Sequence, residues 1–132
     1  MKPLSGVKVI DFTTLLPGPL ATLMLSDAGA EVIKIEKIGG EDMRTVKPIY
    51  NSQSILFAML NRGKKSIEID LKNPEALARI KKVIEKCDVL IEQFRPGVME
   101  KLGLGWKVVK KLNKKIVYCS ITGYGQEGKK KK

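Results

Sequence analysis

The stretch that most constrains this chain is residues 7–37, VKVIDFTTLLPGPLATLMLSDAGAEVIKIEK. Val7, Val9, Ile10 and Phe12 are β-branched or aromatic and predict a strand, closed by Asp11, Thr13 and Thr14. Leu15, Leu16, Pro17, Gly18 and Pro19 form a loop of turn residues, and Pro19 suits the first turn of a helix, where a missing N–H costs nothing. Leu20, Leu23 and Met24 recur at helical spacing until Ala28 and Gly29 end the helix. Val32, Ile33 and Ile35 then predict a second strand, finished by Glu36 and Lys37. Strands joined through a crossover helix run parallel, so this unit predicts an open α/β sheet with a ligand crevice at its C-terminal edge.

The rest of the chain repeats the alternation. Residues 38–44 form a polar loop, and the segment to Ser54 has no period and is expected to be irregular. Residues 54–61 predict a short buried helix and residues 62–65 a basic turn, before an alternating strand at 66–71. Asn73, Pro74 and Glu75 are N-cap, first helical residue and dipole partner of a helix that buries Leu77, Ile80 and Ile84. The apolar run at 88–92 is of parallel-strand type. A loop at 93–97, one or two helical turns at 98–102, and a helix at 106–112 with Val108, Val109 and Leu112 inward lead to a last strand at 116–121. The expected fold is therefore a Rossmann-like open, mostly parallel sheet of five strands with helices on both faces, truncated after the fifth strand. Residues 1–128 form one unit, and 129–132 are a lysine tail.

Composition removes several function classes. The 132 residues, 43% hydrophobic, suffice for one core, and no apolar run approaches the roughly 18 residues of a membrane helix. Met1 to Ser5 leads straight into the first strand, so no secretory leader and no membrane partner are expected. Cys87 and Cys119 lack metal spacing and are expected to be buried free thiols in a reducing, cytoplasmic setting. The chain has no histidine, which excludes histidine bases and most zinc sites, and no metal is expected. The formal charge of +11 suits nucleic acid or a polyanionic small molecule. Scattered lysines and only 5% aromatic residues offer no stacking platform, so nucleic acid is not expected as a partner.

In a parallel sheet the strand ends gather along one edge. The first strand delivers residues 13–18 there, the second Lys37, the third Asp70 and Lys72, and the fourth Gln93, Phe94 and Arg95, with Lys101 one helical stretch later. Singly, Lys37 and Lys72 read as solvated lysines and Asp70 as a turn residue. Three cations and an amide converging on one edge beside a helix N-terminus favour a phosphate-bearing ligand, and a carboxylate at a strand end can hold a ribose hydroxyl. Neither G-x-G-x-x-G nor a Walker sequence is present.

These motifs carry a family resemblance. LSGVKVIDFTTLLPGPLATLMLSDAGAEVIKIEK, NRGKKSIEIDLKNPEA, DVLIEQFRPGVMEKLGLGW and IVYCSITGYGQEG, in this order, resemble the opening of the family III CoA-transferases, the carnitine and bile-acid CoA-transferase group. That group includes formyl-CoA transferase and α-methylacyl-CoA racemase. The resemblance, over residues 4–128, implies the N-terminal part of a CoA-binding large domain and an interlocked homodimer. It implies coenzyme A or acyl-CoA as substrate, with a carboxylic acid as second partner and no permanently bound cofactor. The CoA-contacting positions it implies are Leu16, Pro17, Lys37, Ile69, Asp70, Leu71, Lys72, Gln93, Phe94, Arg95 and Lys101. At Lys37 and Lys101 the family commonly has arginine, and lysine weakens stacking and bidentate phosphate contacts. Formyl-CoA transferases usually have glutamine at the position of Leu16, which disfavours oxalate/formate exchange.

The transferases use an aspartyl intermediate and the racemases a His/Asp pair, both beyond the glycine-rich loop at 122–128. No catalytic residue is expected within these 132. The resemblance thus implies a CoA-transferase fragment, inactive alone, of a truncated or split gene, with the lysine run fitting a slip in an adenine-rich tract. A 2-methylacyl-CoA racemase or a non-catalytic CoA-binding fragment are the alternatives.

Overall fold

The structure, a computed structural model, describes residues 1–130; Lys131 and Lys132 of the expected tail lie outside the described residues. The chain runs β1 (Lys8–Asp11), α1 (Pro17–Asp27), β2 (Glu31–Glu36), a 3-10 turn (Asp42–Thr45), β3 (Ile49–Tyr50), β4 (Gln53–Ser54) and α2 (Ile55–Asn61). It continues with β5 (Lys65–Glu68), α3 (Pro74–Ile84), β6 (Val89–Glu92), α4 (Val98–Lys101), α5 (Trp106–Leu112) and β7 (Val117–Ser120). Five strands form one all-parallel sheet in the order β5-β2-β1-β6-β7. From β1 the chain winds outward through β2 to β5, and from β6 outward to β7. The direction of winding reverses between β1 and β6, and such a switch point opens a crevice beyond the strand ends.

The two faces of the sheet are buried differently. Ile10, Phe12, Ile35 and Leu90 point to one face and pack with Ile80 and Ile84 of α3, Met99 of α4 and Val109 of α5, all buried. α3 starts at Asn73, whose side chain accepts the N–H groups of Glu75 and Ala76, with Pro74 at the first helical position. On the opposite face Val9, Val32 and Ile91 pack with Leu25 of α1, and α1 contacts α2. That face stays open over β7, where Val117 is 61% exposed. No helix among the described residues is long and apolar enough to cross a membrane.

Several expectations change in detail. α1 begins at Pro17 rather than Pro19, because both prolines fit a first helical turn. β5 ends at Glu68, so residues 69–72 form a loop, not the end of a strand. The segment expected to be irregular contains the β3–β4 hairpin, whose two turn residues, Asn51 and Ser52, both have positive φ (47° and 61°). A two-residue turn of that kind matches strand twist without needing any hydrophobic pattern. In α2 only Phe57, Leu60 and Asn61 are buried, and Val108 of α5 faces outward. Cys87 is buried as expected, but Cys119 is exposed because it points to the open face of β7.

Ile84, fully buried between α3 and the sheet, reports on this core. Ile84→Ala is expected to lower the unfolding free energy by about 2–5 kcal/mol. Urea denaturation measures this as a lower midpoint with an unchanged slope.

Candidate functional site

The C-terminal edge is held by an ionic layer on the α1 face of the sheet. Along β2 that face runs Val32, Lys34, Glu36, from apolar to charged, and Lys34 lies beside Asp11 of β1. Asp11 accepts the Thr13 N–H (2.8 Å) and the hydroxyls of Thr13 and Thr22 (2.5 Å each). Lys64 Nζ lies 3.5 Å from Asp11 and donates to Pro19 O, Thr22 Oγ1 and Asn61 Oδ1 at 2.7–2.9 Å. Burial pushes the Lys64 ammonium down to about 8, against the pull of Asp11. The basic turn expected at 62–65 thus turns Lys64 inward, because the N-terminal turn of α1 and Asp11 supply its acceptors. Lys34 Nζ donates to Thr13 O (2.7 Å) and pairs with Glu41 (3.0 Å), with both side chains 1% exposed.

Two further contacts shape the crevice. Gln93, after β6, donates Nε2–H to Thr14 O and accepts Gly18 N–H, both at 2.9 Å, so one amide ties the β6 loop to the β1–α1 loop across the switch point. Only glycine fits at 18, since a Cβ there would stand 2.2 Å from Thr13 Cβ and 2.4 Å from Gln93 Oε1. Glu36 is clamped by both Nε and Nη2 of Arg44 (2.7 Å each), the Glu41 N–H (2.9 Å) and the Ser66 hydroxyl. Burial alone would raise its carboxyl, but those hydrogen bonds outweigh it and hold it down at about 2. The Arg44 guanidinium also lies 3.9 Å from the Phe57 ring centre, which fixes the 3-10 turn against α2.

Two clefts flank this edge. The first, of about 560 Å³, has apolar walls from Phe12, Ile35, Ile69, Leu71, Phe94 and Leu102, with Lys37, Asp70 and Lys72 along it. It brings together six of the eleven expected positions: Lys37, Ile69, Asp70, Leu71, Lys72 and Phe94. Lys37 is exposed and paired with Asp42 at 2.5 Å, a contact a bound anion could displace. The second cleft, of about 580 Å³, lies on the other side of Phe94 and is lined by Pro17, Gln93 and Arg95 together with Ile121 and Tyr124. Leu16 is 55% exposed and lines neither cleft. Lys101, at the exposed end of α4, lines neither as well, because that single helical turn directs it to solvent. Sequence reasoning overlooked Lys34, Glu41 and Lys64. For Lys34 a signal was available, since a lysine inside the alternation of VIKIE must face one side of a buried strand.

The sequence profile of CoA-transferase family III matches residues 4–132. The chain belongs to this family. It is 46% identical over 130 residues to succinyl-CoA:glutarate CoA-transferase of Mus musculus, covering 97% of this chain and 30% of that protein. It is 45% identical over 127 residues to acetyl-CoA:oxalate CoA-transferase of Acetobacter aceti, covering 96% and 33%. Its backbone is similar to the crystal structure of a hypothetical protein of Mycobacterium tuberculosis, with TM-score 0.93 and 43% identity over 99% of this chain and 36% of that one. The chain therefore spans about a third of the length of the relatives it matches. The α/β family fold expected from the sequence motifs is the fold observed.

The ionic layer has a pH signature. Glu36 titrates near 2 folded and near its ordinary 4.5 unfolded, so the unfolded chain takes up its proton first as pH falls. Its contribution is complete above pH 4.5 and is lost as pH falls from there toward 2. Thermal melts across this window are expected to drop steeply for the wild type and less steeply for Glu36→Gln.

Proposed function

We propose that the first cleft binds the nucleotide end of a coenzyme A thioester, and that residues 1–128 are the N-terminal part of the CoA-binding domain of a CoA-transferase. The observation that carries this reading is the cleft itself. Beside the switch point it combines apolar walls with two lysines suited to phosphates and Asp70 suited to a ribose hydroxyl, while the lining carboxylates Glu36, Glu41 and Asp42 are already engaged by Arg44, Lys34 and Lys37. The family membership and the CoA substrates named for the relatives support it. In this reading the second cleft, lined by Pro17, Gln93 and Arg95, takes the pantetheine arm and acyl group. Leu16 and Lys101 remain candidate contacts, reached only by a ligand that extends beyond the two clefts.

The reaction in this reading moves CoA from an acyl-CoA to a carboxylic acid. An aspartate carboxylate attacks the thioester carbonyl, the C–S bond breaks, and CoA leaves as thiolate. The thiolate returns to the aspartyl carbonyl of the mixed anhydride and releases the donor acid. The acceptor carboxylate then attacks the aspartyl thioester, and the freed thiolate takes the new acyl group and regenerates the aspartate. We assign that aspartate to the part of the family's chain beyond residue 128. The 132 residues then bind CoA without turnover, as part of a cytoplasmic enzyme that assembles as an interlocked homodimer. The relatives reported above carry transferase names, which favours this reading over a racemase.

The test is thermal stabilisation of the purified chain by CoA. A hundredfold excess over Kd is expected to add about 2.7 kcal/mol to its stability, with a smaller shift for Lys72→Ala and Arg95→Ala. A folded wild-type chain whose melting point ignores saturating CoA would overturn the reading, as would CoA transfer catalysed by these 132 residues alone for the missing nucleophile.

A further inference from the structure

One buried side chain joins the two loops that rise beside the first cleft. Glu41, from the loop after β2, accepts the Leu15 N–H on Oε2 at 2.8 Å, and its Oε1 lies 3.0 Å from Lys34 Nζ. Lys34 Nζ in turn donates to Thr13 O at 2.7 Å, so the same ion pair grips the β1–α1 loop on both sides of Thr14. Glu41 itself lines the cleft. The residue it holds is unusual. Leu15 has φ of +60°, in the left-handed region that non-glycine residues rarely enter. Its side chain is 44% exposed, so burial does not fix this conformer. Two side chains hold the peptide that precedes it: Gln93 Nε2 donates to the Thr14 carbonyl, and Glu41 accepts the Leu15 N–H.

We propose that Glu41 is a positioning residue. Anchored by Lys34, it holds Leu15 in the left-handed conformer and so presets Leu16, Pro17 and the first turn of α1 in the shape that receives a CoA thioester. For its ligand the inference rests on the CoA reading above; for the loop it stands on the geometry alone. Glu41 also serves as counter-ion to a buried lysine, and that purely structural role predicts something different. A counter-ion can be removed together with its lysine without consequence, because an apolar pair of similar volume replaces a buried ion pair at little cost. A positioning residue cannot.

The experiment uses Lys34→Met/Glu41→Leu, alone and combined with Leu15→Asn, since asparagine enters the left-handed region readily. Hydrogen exchange reads the amide at position 15, and calorimetric titration with CoA reads affinity. The double variant is expected to stay folded, to lose protection of the Leu15 amide, and to bind CoA about tenfold more weakly, as the competent loop becomes a minor population. Adding Leu15→Asn is expected to restore most of that affinity. Should the double variant fail to fold, Lys34→Leu/Glu41→Met, a second apolar pair that also leaves the Leu15 N–H without its acceptor, is read by the same two measurements. Unchanged affinity in the apolar-pair variant that folds, or a loss that Leu15→Asn does not repair, would overturn the proposal. If the wild type binds no CoA, the CoA reading fails and the amide decides alone: protection retained without Glu41 overturns the positioning role, and protection lost supports it.

Discussion

Five ionic side chains, Asp11, Lys34, Glu36, Glu41 and Lys64, are buried at the C-terminal edge of the sheet, and the surrounding structure answers their cost. An isolated charge in a protein interior costs several kcal/mol, and only close pairing with further hydrogen bonds offsets it. Each of the five meets that demand with groups from another part of the chain. Asp11 takes the hydroxyls of Thr13 and Thr22, Lys64 reaches Pro19 O at the start of α1, and Glu36 takes Arg44 and Ser66. The loops after β1, β2 and α2 are thereby fixed relative to one another, because releasing any of them would leave a charge buried without its partners.

This layer sits where it does because of the sheet order. With β1 and β6 central, their ends lie over the most buried part of the sheet, and Val9, Ile10 and Leu90 are all fully buried. The α3–α5 face supplies a conventional apolar core. The α1 face is apolar at the N-terminal ends of the strands and ionic at the C-terminal ends, so the apolar core and the ordered edge occupy different ends of the same strands. Gln93 then closes the switch point by bonding both Thr14 O and Gly18 N–H, which leaves a cleft on either side of Phe94. These bonds hold the edge without any ligand, and an edge ordered before binding lowers the ordering cost of binding.

The sheet and its helices were legible in the sequence because each element carries its own local signal. β-branched alternation marks β1 and β2, Asn73 and Pro74 mark the start of α3, and Gly29, with φ of +104°, marks the end of α1. The β3–β4 hairpin was not legible, since it rests on two positive-φ turn residues, Asn51 and Ser52, and on no apolar pattern. The cleft was partly legible. Position after a strand brought Lys37, Asp70 and Phe94 to the right edge, but side-chain direction is not a property of position, as Lys101 illustrates. Lys64 was illegible as a buried group because Asp11 lies 53 residues away, and a lysine in a basic stretch reads as surface until its partners are known; for Lys34 the strand alternation marked a face of the sheet but not the partner, Glu41.

In the function proposed above, this preset edge, rather than the lysine-rich surface at large, recognises CoA. Titrating the isotope-labelled chain with CoA and following its backbone and side-chain resonances separates the two directly. Binding at the edge predicts saturable shifts concentrated on Lys37, residues 69–72 and Phe94, with the lysines of α5 unmoved. Shifts spread over Lys107, Lys110 and Lys111 of α5, without saturation at the cleft, would contradict recognition by the edge.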